Sequence, residues 1–169
     1  LENIIIPASV GTIGEFCFAS CFALESVTYE DGSTLKSIGN NAFDFCRSLN
    51  SITIPASVGT IGEYCFSVCS ALESVTFEEG DTLSSIANYA FNGCSALQSI
   101  TIPASVETIG QSCFSYCPAL ESVTFEKSSK FEKGSKLTTI GGSAFDSCEA
   151  LNSITIPASF TYNSGIYRV

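Results

Sequence analysis

The sequence predicts a repeat solenoid, a chain that coils through near-identical units, each with one short strand and a return path. Three observations carry this. The stretch LQSITIPASVETIGQSCFSYC, Leu97 to Cys117, recurs nearly intact from Leu1 and Leu49 and in truncated form from Leu151. A related stretch, LESVTFEEGDTLSSIANYAFNGC, starts at Leu72 and recurs from Leu24 and Leu120. Units of 23 and 25 residues alternate, giving a 48-residue super-repeat. A fixed period of this size marks units that bury their apolar faces only against their neighbours.

The first unit opens on Leu-Glu-Asn-Ile-Ile-Ile, which later copies continue as Leu-x-Ser-Ile-Thr-Ile, and the alternate units open on Leu-x-Ser-Val-Thr-Tyr or Leu-x-Ser-Val-Thr-Phe. Apolar residues alternating with Ser or Thr have the period of two expected of a short strand with one buried face. Pro7, Pro55, Pro103 and Pro157 should end the strands they follow, because proline has no N–H for a ladder. A Thr-Ile-Gly step, such as Thr60-Ile61-Gly62, should turn the chain onto the opposite side of the coil. Phe66 and Cys69 are three apart, which predicts one or two helical turns over Glu63 to Cys69. A helix that short must be held by packing. Phe18, Phe43, Phe66, Phe91, Phe114 and Phe145 repeat one position and predict a stacked core spine.

Nine cysteines suggest a disulfide or metal framework until they are placed on the repeat. Cys21, Cys46, Cys69, Cys94, Cys117 and Cys148 share one position in successive units. Cys17, Cys65 and Cys113 sit four residues earlier, where the other units have Ala42, Ala90 and Ala144. A position that accepts Ala or Cys is a small buried slot, so the expectation is a core of reduced thiols. The chain has no His, which removes most zinc ligand sets and every Ser-His or Cys-His dyad. No glycine-rich phosphate loop appears. No enzyme, cofactor or metal is expected. The net charge of −10 argues against nucleic acid and anionic membranes. No apolar run is long enough for a membrane-spanning helix.

The alternate unit replaces the proline with Glu30, Glu78 or Glu126 and carries a loop two residues longer. The acidic groups Glu30/Asp31 and Glu78/Glu79/Asp81 read as a solvated, mutually repelling row, with oxygen ligation of Ca²⁺ as the alternative. In the third super-repeat FEKSSK, Phe125 to Lys130, is followed by FEKGSK, Phe131 to Lys136. This tandem duplication brings Lys127, Lys130, Lys133 and Lys136 into one loop, where they could pair with the acidic row or meet an anionic partner. The domain reading is a solenoid over 1–159, with units starting near 1, 24, 49, 72, 97, 120 and 151. A tail or partial cap over 160–169 follows, in which Tyr162, Ile166, Tyr167 and Val169 could cover a last rung. The chain opens inside a repeat at Leu1, so it reads as a fragment of a longer protein.

Each unit reads Leu-x-x-Ile-x-Ile-Pro-x-x-Val-x-x-Ile-Gly-x-x-Ala/Cys-Phe-x-x-Cys. This closely resembles the BspA-like, or Treponema-pallidum-type, leucine-rich repeat, over nearly the whole chain. The resemblance implies a right-handed curved leucine-rich-repeat solenoid. One short parallel strand per unit would line the concave face, with short strands or helical turns on the convex side. It also implies a place in large surface proteins of bacteria and protists, several of them linked to adhesion to host cells, matrix proteins or other microbes.

The outward strand residues are the candidate contact surface. Ser51, Thr53, Ser74, Thr76, Ser99, Thr101, Ser122 and Thr124 should form two parallel ladders, extended by Ser26/Thr28 and Ser153/Thr155. Glu25, Asn50, Glu73, Gln98 and Glu121 run beside them. Ser and Thr also suit any solvated strand face, and a regular hydroxyl lattice could order water or bind ice. The reading is a non-enzymatic interaction or adhesion module of a cell-surface or secreted protein. It would bind a protein or glycan ligand on a host cell, matrix or neighbouring microbe, with no nucleic acid, no membrane insertion and an oligomeric state left open. A structural spacer and an intracellular scaffold are the rivals, the latter because unpaired cysteines suit the cytoplasm.

Overall fold

The computed structural model describes residues 1–131 and 134–157. It is a parallel-strand solenoid in which long and short strands alternate along the chain. The long strands are β1 Asn3–Ile6, β3 Ser26–Tyr29, β5 Ser51–Ile54, β7 Ser74–Phe77, β9 Ser99–Ile102 and β11 Ser122–Phe125, with the shorter β13 Ser153–Ile154 after them. They form a four-stranded sheet, β1-β3-β5-β7, and a three-stranded sheet, β9-β11-β13. The Thr-Ile or Ser-Ile steps are two-residue strands: β2 Thr12–Ile13, β4 Ser37–Ile38, β6 Thr60–Ile61, β8 Ser85–Ile86, β10 Thr108–Ile109 and β12 Thr139–Ile140. These six pair in chain order into one continuous parallel sheet. The proline reading holds where it is sharpest: β1, β5 and β9 each stop at the residue before Pro7, Pro55 and Pro103.

The glycine after four of the six short strands, Gly39, Gly62, Gly110 and Gly141, is a packing requirement. A Cβ at Gly110 would lie 2.4 Å from Ala87 and Asn88 backbone, and one at Gly141 would lie 2.3 Å from the Gln111 nitrogen. Rungs therefore approach most closely where the chain leaves the second sheet. The fourth unit has Ala87 at this place, so that rung takes up a methyl group the others avoid.

The helical turn expected over Glu63 to Cys69 does not form, and no helix is present among the described residues. The spacing of Phe66 and Cys69 comes from a turn, with Cys69 N–H donating to Phe66 O at 3.4 Å. Alternate donors reach sideways: Tyr64, Phe66 and Val68 N–H donate to Asn88, Ala90 and Asn92 O of the next rung at 3.1, 2.8 and 2.7 Å. A helix would have kept those bonds within its own segment. Such lateral bonding needs left-handed backbone at two places per rung: Phe16, Asn41, Tyr64, Tyr89, Ser112 and Ser143, then Ser20, Phe45, Val68, Gly93, Tyr116 and Ser147. Positive φ is uncommon outside glycine and is costly for bulky residues. The inter-rung bonds hold them there.

The core is the predicted aromatic spine. Phe43, Phe66, Phe91 and Phe114 are fully buried. From Phe18 to Phe145 the rings stack with centroids 5.2, 5.3, 5.2, 5.4 and 5.5 Å apart. Each ring stands over the one before, as a parallel register requires. Leu24, Leu49, Leu72, Leu97 and Leu120 are also fully buried.

All nine cysteines are free thiols, six of them buried. The cysteine of Phe-x-x-Cys has a specific partner. Cys46, Cys69, Cys94, Cys117 and Cys148 Sγ lie 3.2, 3.2, 3.2, 3.3 and 3.1 Å from the carbonyl oxygen of the preceding rung's phenylalanine. The other cysteine position behaves as the expected small slot, with Ala42, Cys65, Ala90 and Cys113 fully buried. Cys17 departs from that expectation. It lies at the end rung and is exposed.

Burial pushes the Cys46 and Cys94 thiols up to about 12 and drives Cys65, Cys69 and Cys113 upward as well. Cys117 rises through its thiol neighbour Cys148 and through burial.

Two measurements check this core. Phe91→Ala should lower stability by roughly 3–5 kcal/mol, the usual cost of a large-to-small core change, and an unchanged denaturant midpoint would show that the ring is not buried. An unfolded thiol titrates at about pH 8.5. Above that pH the unfolded chain sheds protons that the folded chain retains, so stability should fall as pH rises toward about 12. Each thiol contributes at most about 1.4 kcal/mol per pH unit. Urea melts at pH 8 and 10 should show the loss, with a shallower slope in Cys46→Ala/Cys94→Ala.

Candidate interaction surface

Strand register builds the candidate face. Ser51 pairs with Ser74 and Thr53 with Thr76 across β5 and β7. Ser99 pairs with Ser122 and Thr101 with Thr124 across β9 and β11. Ser26 continues the first run through Ser51, and Ser153 continues the second through Ser122. The inward residues between them, Ile52, Val75, Ile100 and Val123, are buried. Alternation alone therefore turns every Ser and Thr of the pattern outward. The structure brings the predicted residues together as two runs, because no ladder joins β7 to β9.

Ser51, Ser74, Ser99, Thr76, Thr101 and Thr124 are exposed, while Thr53 and Ser122 are half-buried. Glu73, Gln98 and Glu121 are exposed in the flanking row, where Glu73 and Glu121 N–H donate to Asn50 and Gln98 O at 2.9 and 2.8 Å. At one end Ser26 Oγ donates to Asn3 Oδ1 at 2.7 Å, and Thr28 Oγ1 reaches Ile4 O at 3.4 Å. Among the described residues, none of the eight hydroxyls from Ser51 to Thr124 on this face has a hydrogen-bond partner within the chain. They stand as donors and acceptors on a backbone fixed by the sheet.

The acidic loops are less free than a solvated row. Glu30 Oε2 accepts from Ala8 N–H and Glu78 Oε2 from Ala56 N–H, each at 3.0 Å. Both donors follow the proline of the preceding rung. Thr34 Oγ1 donates to Ala8 O at 2.8 Å, and Thr82 Oγ1 likewise to Ala56 O. In the first two super-repeats the glutamate unit thus clamps the Pro-Ala turn below it.

The lysine-rich loop is closed by Ser128 N–H donating to Gly134 O and Gly134 N–H to Phe131 O, both at 2.8 Å. Lys136 Nζ lies 5.0 Å over the Phe131 ring. Lys130 pairs with Asp81 at 3.2 Å, across a hollow of about 520 Å³. The acidic edge is therefore one partner of the insertion. The pair is well exposed and contributes little to stability. Lys133, Ser159 and the tail with Tyr162, Ile166, Tyr167 and Val169 lie outside the described residues.

Sequence reasoning passed over a second outward ladder. Thr12, Ser37, Thr60, Ser85, Thr108 and Thr139 align across the two-residue strands. Ser37 Oγ donates to Thr12 Oγ1 at 3.3 Å and Thr108 Oγ1 to Ser85 Oγ at 3.1 Å. Their signal was the recurrence of Ser or Thr before Ile-Gly, which was read only as a turn.

The family model for the BspA type leucine rich repeat region matches the chain in six copies, over residues 1–121 and 78–165. The chain belongs to this family. Among solved structures it is similar to the pneumococcal vaccine antigen PcpA, with 26% identity and a TM-score of 0.73, covering 94% of this chain and 51% of that one. It is similar to the Treponema pallidum leucine-rich-repeat protein, with 29% identity and a TM-score of 0.65, covering 92% of this chain and 64% of that one. A leucine-rich cell surface protein of Faecalibacterium prausnitzii A2-165 has 26% identity and a TM-score of 0.56, covering 95% of this chain and 62% of that one. The chain thus spans 51–64% of the length of these three structures. No curated protein matches it. Leucine-rich-repeat domains of this kind are in general non-enzymatic scaffolds that mediate protein interactions.

The glutamate clamp yields a stability test. Glu78→Ala should cost about 1 kcal/mol, the usual value of one hydrogen bond. Glu78→Gln, whose amide oxygen can still accept from Ala56, should cost less than half as much in the same thermal melts. Equal losses would show that the carboxylate's charge acts instead of its bond.

Proposed function

We propose that this chain is the interaction or adhesion module of a larger cell-surface or secreted protein, and that it binds through the Ser/Thr face of its long strands. The observation that carries the reading is the two registered hydroxyl runs, whose eight hydroxyls have no hydrogen-bond partner among the described residues and are flanked by Glu73, Gln98 and Glu121. A partner can hydrogen-bond there without breaking anything in the solenoid. A sheet held by an aromatic core also loses little freedom on binding, which lowers the cost of association. The surface location of the Faecalibacterium relative supports the same assignment. We assign no catalytic residue, because acid–base or nucleophilic work needs converging groups and the ladder repeats a single chemistry. The partner is a protein or glycan on a host cell, matrix or neighbouring microbe. The rival reading, a spacer that holds other domains away from a surface, predicts no binding at all.

The test is a binding screen of the purified domain against matrix proteins, glycans and intact cells. A variant with Thr53, Thr76, Thr101 and Thr124 all changed to Lys runs beside it. Binding that this variant loses, with an unchanged melt, is the expected outcome. Binding that it retains would move the site off this face, and no binding by either would favour the spacer.

A further inference from the structure

The second sheet carries a groove that the proposed binding face does not use. Its volume is about 480 Å³, and it runs across β8, β10 and β12. Ser85, Thr108 and Thr139 line one side, and Glu63, Asn88 and Gln111 line the other. Ile86 and Ile109 turn their side chains into the core, so they offer the groove only backbone. Gly110, Gly141 and Gly142 add no side chains to fill it. The far wall is already ordered: Asn88 Nδ2 donates to Glu63 Oε1 at 2.9 Å, and Asn88 Oδ1 accepts from Gln111 N–H at 2.8 Å.

Behind that wall stand two tyrosines. Tyr64 and Tyr89 stack with centroids 4.6 Å apart and planes 4° apart. Tyr89 Oη meets Gln111 Nε2 at 3.3 Å, which ties the pair to the groove. Both residues have left-handed backbone, with φ of 54° and 58°, and Tyr64 is 37% exposed. The other rungs share that backbone, and what distinguishes these two is the stacked ring pair.

The geometry points to a binding groove for a neutral linear polysaccharide. Two successive rungs each present a hydroxyl and an amide, Ser85 with Asn88 and Thr108 with Gln111, about 4.8 Å apart, with Glu63 and Thr139 beyond them. A homopolymer that presents the same hydroxyls at regular intervals matches such a repeat. A peptide added as a strand does not, because the sheet backbone here is already paired rung to rung. An anionic polymer would meet Glu63 and a net charge of −10.

Affinity gel electrophoresis in a soluble β-glucan, a galactomannan and a xylan tests this, each against a gel without polysaccharide. Two variants remove the site in different ways. Gln111→Ala deletes a wall amide. Gly142→Lys fills the groove at a position where an added Cβ meets nothing within 4 Å, so the fold should tolerate it. The expected result is retardation by at least one polysaccharide, weakened about tenfold in both variants, as one or two lost hydrogen bonds would give. The quadruple Thr→Lys variant of the long-strand face should still be retarded. Retardation that only the Thr→Lys variant loses would overturn the proposal, as would no retardation in any gel.

Discussion

The solenoid depends on the carbonyl oxygen of the spine phenylalanine. Phe66 O accepts from Cys69 N–H within its own rung and from the Cys94 thiol of the next. The same arrangement recurs at Phe18, Phe43 and Phe91. A carbonyl oxygen has two lone pairs; the turn N–H engages one, and a small donor from the next rung satisfies the second inside the core. Cysteine supplies one while behaving otherwise as an apolar residue. That separates the two cysteine positions. The one with a carbonyl partner is cysteine in every unit, and the one four residues earlier, which only fills space, alternates with alanine.

Around this spine the rungs come in pairs. A proline ends the strand of one rung and leaves the Ala8 or Ala56 N–H beyond it free to donate, and the glutamate of the next rung accepts that bond. The 48-residue super-repeat is thus a structural pair as well as a pattern of letters. The turn segments complete the enclosure by sending alternate N–H groups to the following rung instead of along their own chain.

Much of this was legible because period-two alternation and a fixed unit length each have one physical reading. The strands, the aromatic spine and the small thiol slots follow from spacing alone, and so does the outward direction of Thr53 or Thr101. The turn at Glu63 to Cys69 was misread because a three-residue spacing fits both a helix and a turn. What decides between them is a bond to a neighbouring rung, which a local pattern does not contain. The exposure of Cys17 also depends on its place at the end of the stack. The tyrosine pair was hidden for a related reason: Tyr64 and Tyr89 are distant in sequence and meet only because the register stacks them. The hydroxyl face could be located from sequence, but the Glu30 and Glu78 clamps on the preceding rungs required coordinates.

The bonds by which Ser128 and Gly134 close the lysine-rich loop have a further implication. The rung resumes beyond it in the same register, with Thr108 facing Thr139 as Thr60 faces Ser85, and Lys136 N–H meets Ala104 O much as Thr34 N–H meets Ala8 O. Extra chain at this edge does not propagate into its neighbours. The molecule therefore separates the residues that count rungs from those that decorate them. Lineages, or an engineer, can lengthen one edge loop at a time to graft epitopes or tags while the rest of the coil keeps its pitch.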